Sequence, residues 1–146
     1  MKRLRLQHDY PVAPETLWAL VTDYVALAEV IRGIVHFEGL AVGRTDTGQR
    51  LEVRVSLFGK LPPQPYHIEV VHRDDVGRVL ESSERGAGVR SWRHRLRVEP
   101  TAPGSRLTDE IEIDAGWLTP LFALRAGYLY RARHKPRLRL LGVHGA

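Results

Sequence analysis

Ser91-Trp92-Arg93-His94-Arg95-Leu96-Arg97-Val98, followed after a short gap by Leu107-Thr108-Asp109-Glu110-Ile111-Glu112-Ile113-Asp114, is the stretch that decides the fold. Trp92, Leu96 and Val98 alternate with Ser91, Arg93, Arg95 and Arg97, and Leu107, Ile111 and Ile113 alternate with Thr108, Glu110, Glu112 and Asp114. A period of two is the mark of a strand with one buried face. The proline- and glycine-containing run Pro100 to Ser105 joins the two as a hairpin. That turn puts Val98 opposite Leu107, Leu96 opposite Asp109 and His94 opposite Ile111. Arg90 and His94 then share the Trp92 face, Asp109 shares the Leu107 face, and His94 and Asp109 become diagonal neighbours within side-chain reach.

Outward from the hairpin, the same period governs residues 34 to 115. Val35 and Phe37 begin a strand, and Leu51, Val53, Val55 and Leu57 alternate with charged and polar residues. Tyr66, Ile68 and Val70 form another apolar face, which His72 continues. Residues 78–85 read as a poorly patterned strand, and residues 2–8 as a weak first one. Two short helices follow that first strand. Pro14 suits a first helical position, with Leu17, Trp18, Leu20 and Val21 at helical spacing to about Thr22. The second helix runs from Tyr24 to about Arg32, where Gly33 supplies the stop.

At the other end, Thr119-Pro120 is a helix start. A broad stripe of Leu118, Leu121, Phe122, Tyr128, Leu129, Ala132 and Leu140 predicts a long amphipathic helix. Arg125 falls near the middle of that stripe, and Pro136 predicts a kink or an end. Strands grouped in the middle with helices at the ends give an α+β fold, an antiparallel sheet packed on one face by the last helix.

The chain has 146 residues, 43% of them apolar and 27% charged, which is one soluble globular domain spanning 1–146. It has no cysteine, so disulfide scaffolds, thiol nucleophiles and Cys-ligated metal sites are excluded. The start Met1-Lys2-Arg3-Leu4-Arg5 carries no apolar leader, and no apolar run approaches the ~20 residues that span a bilayer. A cytoplasmic location is the expectation. The net charge of +5 is concentrated at the end: residues 115–146 hold six basic side chains and no acidic one. Such a segment is either a solvated helix face or a surface for an anionic membrane or partner.

Ala13-Pro14-Glu15-Thr16-Leu17-Trp18, the late hairpin with its Ser105-Arg106-Leu107-Thr108-Asp109-Glu110 strand, and the closing amphipathic helix together resemble the START-like SRPBCC superfamily over nearly the whole chain. That superfamily includes polyketide cyclase/dehydrase and birch-pollen-allergen-like proteins. The resemblance implies a helix-grip: a curved antiparallel sheet of about seven strands wraps a long C-terminal helix. It also implies a cavity between them for a lipid, quinone, polyketide or similar hydrophobic molecule.

The candidate ligand-binding residues are Tyr66, His72, Arg90, Trp92, His94, Asp109, Arg125 and Tyr128. Arg125, placed on an apolar stripe, needs an anionic partner, and Asp109 is the first choice. An inward Asp–His or Asp–Arg pair also serves as a plain internal bridge, and Trp92 as plain cavity wall. The loop Leu57 to Pro63 is the candidate gate, or simply a connection shaped by its prolines.

No dinucleotide or phosphate loop, nucleophile elbow or paired-histidine metal motif occurs, so no cofactor and no metal are expected. Nucleic-acid binding is not expected either, since the basic helix lacks interleaved aromatics. The residues leave three functions open. One is a carrier of a hydrophobic molecule. Another is a cyclase/dehydrase-type enzyme using His94, Asp109 and an arginine. The third is an interaction protein that meets an anionic membrane through its last helix.

Overall fold

The computed structural model describes residues 1–40, 43–57 and 62–142. The Phe58 to Leu61 core of the candidate gate therefore lies outside the described residues. Strand β1 (Lys2–Tyr10) is followed by helices α1 (Pro14–Val21) and α2 (Tyr24–Val30). Six strands come next: β2 (Val35–Glu38), β3 (Arg50–Leu57), β4 (Gln64–Asp74), β5 (Val79–Gly86), β6 (Val89–Pro100) and β7 (Ser105–Asp114). Helices α3 (Thr119–Arg131) and α4 (His134–Leu140) close the chain. The seven strands form one antiparallel sheet in the order β1-β7-β6-β5-β4-β3-β2, curled into a half-barrel. This is the helix-grip architecture, in which each strand after β1 pairs with the next, and β1 joins the far edge beside β7.

Local chemistry explains the elements. Pro14 opens α1 with the fixed φ a first turn needs. Asp23 caps α2, its carboxylate accepting from the Val25 amide at 3.1 Å. On the hairpin, Val98 pairs with Leu107, Leu96 with Asp109 and His94 with Ile111, the register that the alternation predicts. The outer face of the sheet is a checkerboard of opposite charges, including Arg3–Glu112 at 2.8 Å and Arg95–Glu81 at 3.3 Å. The sheet's second face is thereby solvated, and most of its apolar side chains are directed at the helices, Val71 of β4 being an exposed exception.

Two apolar clusters fill that inner face. One joins Leu17 and Trp18 of α1 and Leu138 of α4 to Leu96, Val98 and Leu107 of the sheet. The other joins Ala123, Ala126 and Tyr130 of α3 to Trp92, Ile111 and Ile113.

The last helix departs from expectation in two ways. It breaks at Ala132–Arg133 rather than at Pro136 itself. Proline removes the amide that would bond the carbonyl four residues back, which is that of Ala132, and its ring crowds that carbonyl. The break therefore falls one turn upstream, and Pro136 sits in the first turn of α4, where a missing amide costs little. The buried face is also rotated from the predicted stripe. Ala123, Ala126, Gly127 and Tyr130 face the sheet, while Leu121, Leu124, Tyr128 and Leu140 are exposed. Small residues let α3 approach the sheet closely but contribute little apolar weight to the pattern, so the larger outward residues dominate it.

Candidate functional site: a two-lobed cavity between sheet and helices

Between the inner face of the sheet and α3–α4 lies a cavity with two adjoining lobes. The outer lobe, about 190 Å³, is lined by aromatic and aliphatic side chains that include Phe37, Tyr66, Trp92, Phe122 and Leu129. The inner lobe, about 110 Å³, runs toward α1 and α2 and is bounded by Tyr24, Val70, Leu80, His94 and Leu96. Phe37, Glu84, Tyr130 and Arg133 line both lobes, so they stand at the junction. Mainly apolar walls with a few converging polar groups are the usual make-up of a small-molecule site.

His94 lies on the inner-lobe wall. Its Nε2 is 2.7 Å from Oδ1 of Asp109, which has no exposed surface. Burial alone would raise the Asp109 carboxyl. The hydrogen bond and charge of His94, with the positive charges of Arg137 and Arg133, outweigh it and hold the carboxyl below the usual range. The Tyr130 and His94 rings meet edge to face, with centroids 5.0 Å apart, and Tyr130 stacks on Trp92 at 6.2 Å. Burial pushes the Tyr130 hydroxyl far up. Tyr66 donates from its hydroxyl to Glu84 Oε1 at 2.8 Å, and Ser82 donates to Glu84 Oε2 at 3.0 Å. Burial and the Glu84 charge hold the Tyr66 hydroxyl well above its ordinary value, so it remains a donor.

Of the eight residues the sequence proposes, Tyr66, Trp92, His94 and Arg125 line the cavity. Asp109 lies behind His94 and touches the site through it. The other three do not converge there. Expected beside Val70, His72 is instead carried outward: a β-bulge between Val70 and His72 pairs it with outward-facing Glu81, and it is exposed. Arg90 is exposed, its guanidinium against Gly116, next to the irregular Gly86–Val89 pairing that shifts the start of β6. Tyr128 is 57% exposed on the outward side of α3. Arg125 is also corrected in part. It is exposed, and its guanidinium lies over the Phe122 ring at 5.1 Å rather than against Asp109.

The helical groups that reach Asp109 electrostatically are Arg133 and Arg137, which the expected stripe leaves outside. Arg137 is only 5% exposed and lines the inner lobe. The signal that finds them is the small-residue spacing Ala123, Ala126, Gly127 and Tyr130, which continues at helical period to Arg133 and Arg137. Glu84 is missed because β5 lacks a clean alternation. Among the described residues, no cluster of three or more histidines and acidic side chains could hold a metal ion, and no helix is long and apolar enough to cross a membrane.

The fold recurs widely among solved structures. Protein CV1439 from Chromobacterium violaceum superposes with a TM-score of 0.75 at 15% identity, covering 100% of both chains. The AHSA1 protein from Silicibacter pomeroyi gives 0.75 at 19% identity, over 97% of this chain and 98% of its own. A START superfamily protein from Mycobacterium smegmatis gives 0.70 at 16% identity, over 95% and 98%. At such identities the likeness speaks for fold alone. Comparison with curated proteins gives no match. The sequence pattern of the family described as polyketide cyclase / dehydrase and lipid transport matches residues 1–136, nearly the full length, and with the helix-grip fold this places the chain in that family, within the START-like superfamily.

Proposed function

We propose that the protein binds a hydrophobic small molecule, of lipid, quinone or polyketide type, in the two-lobed cavity between sheet and C-terminal helices. The observation that carries this reading is the outer lobe itself: an aromatic-walled space of about 190 Å³ against α3, edged by the polar groups Tyr66, Glu84 and Arg133. Native mass spectrometry of the purified protein, followed by denaturation and identification of the released compound, tests it. A stoichiometric hydrophobic compound is the expected result. If no ligand is released and no saturable quenching of tryptophan fluorescence occurs with fatty acids, quinones or aromatic polyketides, the reading fails.

A second reading, cyclase/dehydrase-type catalysis, is favoured by one observation, the buried His94–Asp109 pair at the cavity wall. With Nε2 held by Asp109, Nδ1 is the ring nitrogen left to exchange a proton with a bound carbonyl compound. Its test is deuterium exchange at the α-carbons of 2-decanone in D₂O. Acceleration that His94→Gln removes supports it, and a rate equal to buffer overturns it.

Two narrower proposals concern surroundings. A surface groove lined by Trp117 and Leu124, which are 87% and 75% exposed, also holds Lys2 and Arg131. This favours peripheral contact with an anionic membrane. Cosedimentation with phosphatidylserine vesicles that falls with salt tests it, and no cosedimentation at low salt overturns it. The second is a cytoplasmic location.

A further inference from the structure

The inner end of the cavity carries more positive charge than its own acids engage. Arg137 on α4 is nearly fully buried and lines the inner lobe. Arg133 lines both lobes, its guanidinium held 4.0 Å above the Tyr130 ring. The two are four residues apart on the same helical face, brought inward by the break at Ala132–Arg133. Among the described residues, neither has a carboxylate within the 4.0 Å of an ion pair, and Arg133 Nε and Arg137 Nη1 are buried without a hydrogen-bond acceptor. The Tyr10 hydroxyl lies near Arg137 without meeting hydrogen-bond geometry.

The nearby acids are occupied or out of reach. Both oxygens of Glu84 accept from Tyr66 and Ser82. Asp109 gives Oδ1 to His94, while its Oδ2 is buried with no donor, so the arginines attract it only across a distance. Asp109 is also absent from the cavity wall. A buried guanidinium beside a half-buried one, both facing a mainly apolar space, is costly unless an anion meets them, and their planar forks match a carboxylate.

We propose that the occupant of this cavity is an amphiphile with a compact anionic head, a carboxylate or a group of like charge and size, seated between Arg133 and Arg137 while its apolar body fills the outer lobe. This rests on the cavity reading and narrows its ligand class. The test compares decanoate with its uncharged isostere decanamide by isothermal titration at pH 7.5. The flexible chain adapts to either lobe. Decanoate is expected to bind at least about tenfold tighter, a difference of about 1.4 kcal/mol. Arg137→Gln and Arg133→Gln are each expected to erase most of that preference.

Equal binding of the two compounds overturns the anionic head and leaves the cavity reading standing. A preference that survives both substitutions overturns the arginine seat. Binding of neither compound overturns the inference, while the cavity reading stands or falls on the ligand-release and quenching test above. Should Arg137→Gln fail to fold, the wild-type ratio and Arg133→Gln decide the matter.

Discussion

His94 Nε2 lies 2.7 Å from Oδ1 of a completely buried Asp109, two strands' worth of alternation bringing a diagonal pair into contact. Because His94 and two arginines hold the Asp109 carboxyl below its ordinary range, its ionised form stabilises the fold. The sign is that of a depressed acid. The contribution is complete above the unfolded value near 3.8 and is lost as pH falls through the folded one. Asp109→Asn should lower stability by about 2 kcal/mol near neutrality and flatten the acid limb. Urea midpoints of both proteins between pH 2 and 7 check this. Parallel profiles would remove the pair from the stability account.

A second titrating group acts at higher pH. His8 stacks on His134 with ring centroids 4.8 Å apart. Burial first, then the neighbouring Arg137 and, for His8, the His134 ring itself, keep both below the ordinary 6.5. Asp109 and Asp9 oppose this without reversing it. The unfolded chain takes up protons first, so stability should decline as pH drops below about 6.5. His134→Gln should reduce that decline, read as thermal midpoints between pH 7.5 and 5.

Gly104 turns the β6–β7 hairpin directly against the end of β1. A Cβ there would collide with the Tyr10 carbonyl and lie 2.8 Å from the Val12 amide nitrogen. Both are backbone atoms and cannot swing aside, so Gly104→Ala should cost about 2 kcal/mol. A urea denaturation curve is sufficient to measure it. An unchanged midpoint would mean that the turn relaxes freely.

Val55 is half-buried on the wall of the outer lobe. Val55→Trp should fill that space and weaken binding of any cavity ligand at least tenfold, while changing stability by only about 1 kcal/mol. Decanoate titration with a parallel melting curve separates the two effects. Undiminished affinity would place the ligand elsewhere.

The sequence carried the hairpin completely, because a clean period of two with one short turn admits a single register. The alternation alone therefore places His94 and Asp109 together. His72 could not, since one extra residue at the Val70–His72 bulge reverses every face after it, and a bulge leaves no mark in alternation. The last helix departs from its pattern for a different reason. Its buried face is built from Ala123, Ala126 and Gly127, whose value is the closeness they permit. Hydrophobicity weighs Leu121, Leu124 and Tyr128 more heavily, so the pattern turns Arg125 and Tyr128 inward and leaves Arg133 and Arg137 off the inward stripe. Pro136 marked a break, and counting four residues back from it locates Ala132.

The pairing of β1 with β7 has a consequence for biosynthesis. Ser105–Asp114 emerges about a hundred residues after its partner Lys2–Tyr10. At translation speeds of about 5–20 residues per second, the nascent first strand waits roughly 5–20 s for its mate. Its Lys2, Arg3 and Arg5 keep that waiting strand charged and therefore unattractive to other chains. Closing the sheet between β1 and β7 spans about a hundred residues, and such long-range pairing should make refolding slow for the size, in the millisecond-to-second range of β-rich domains.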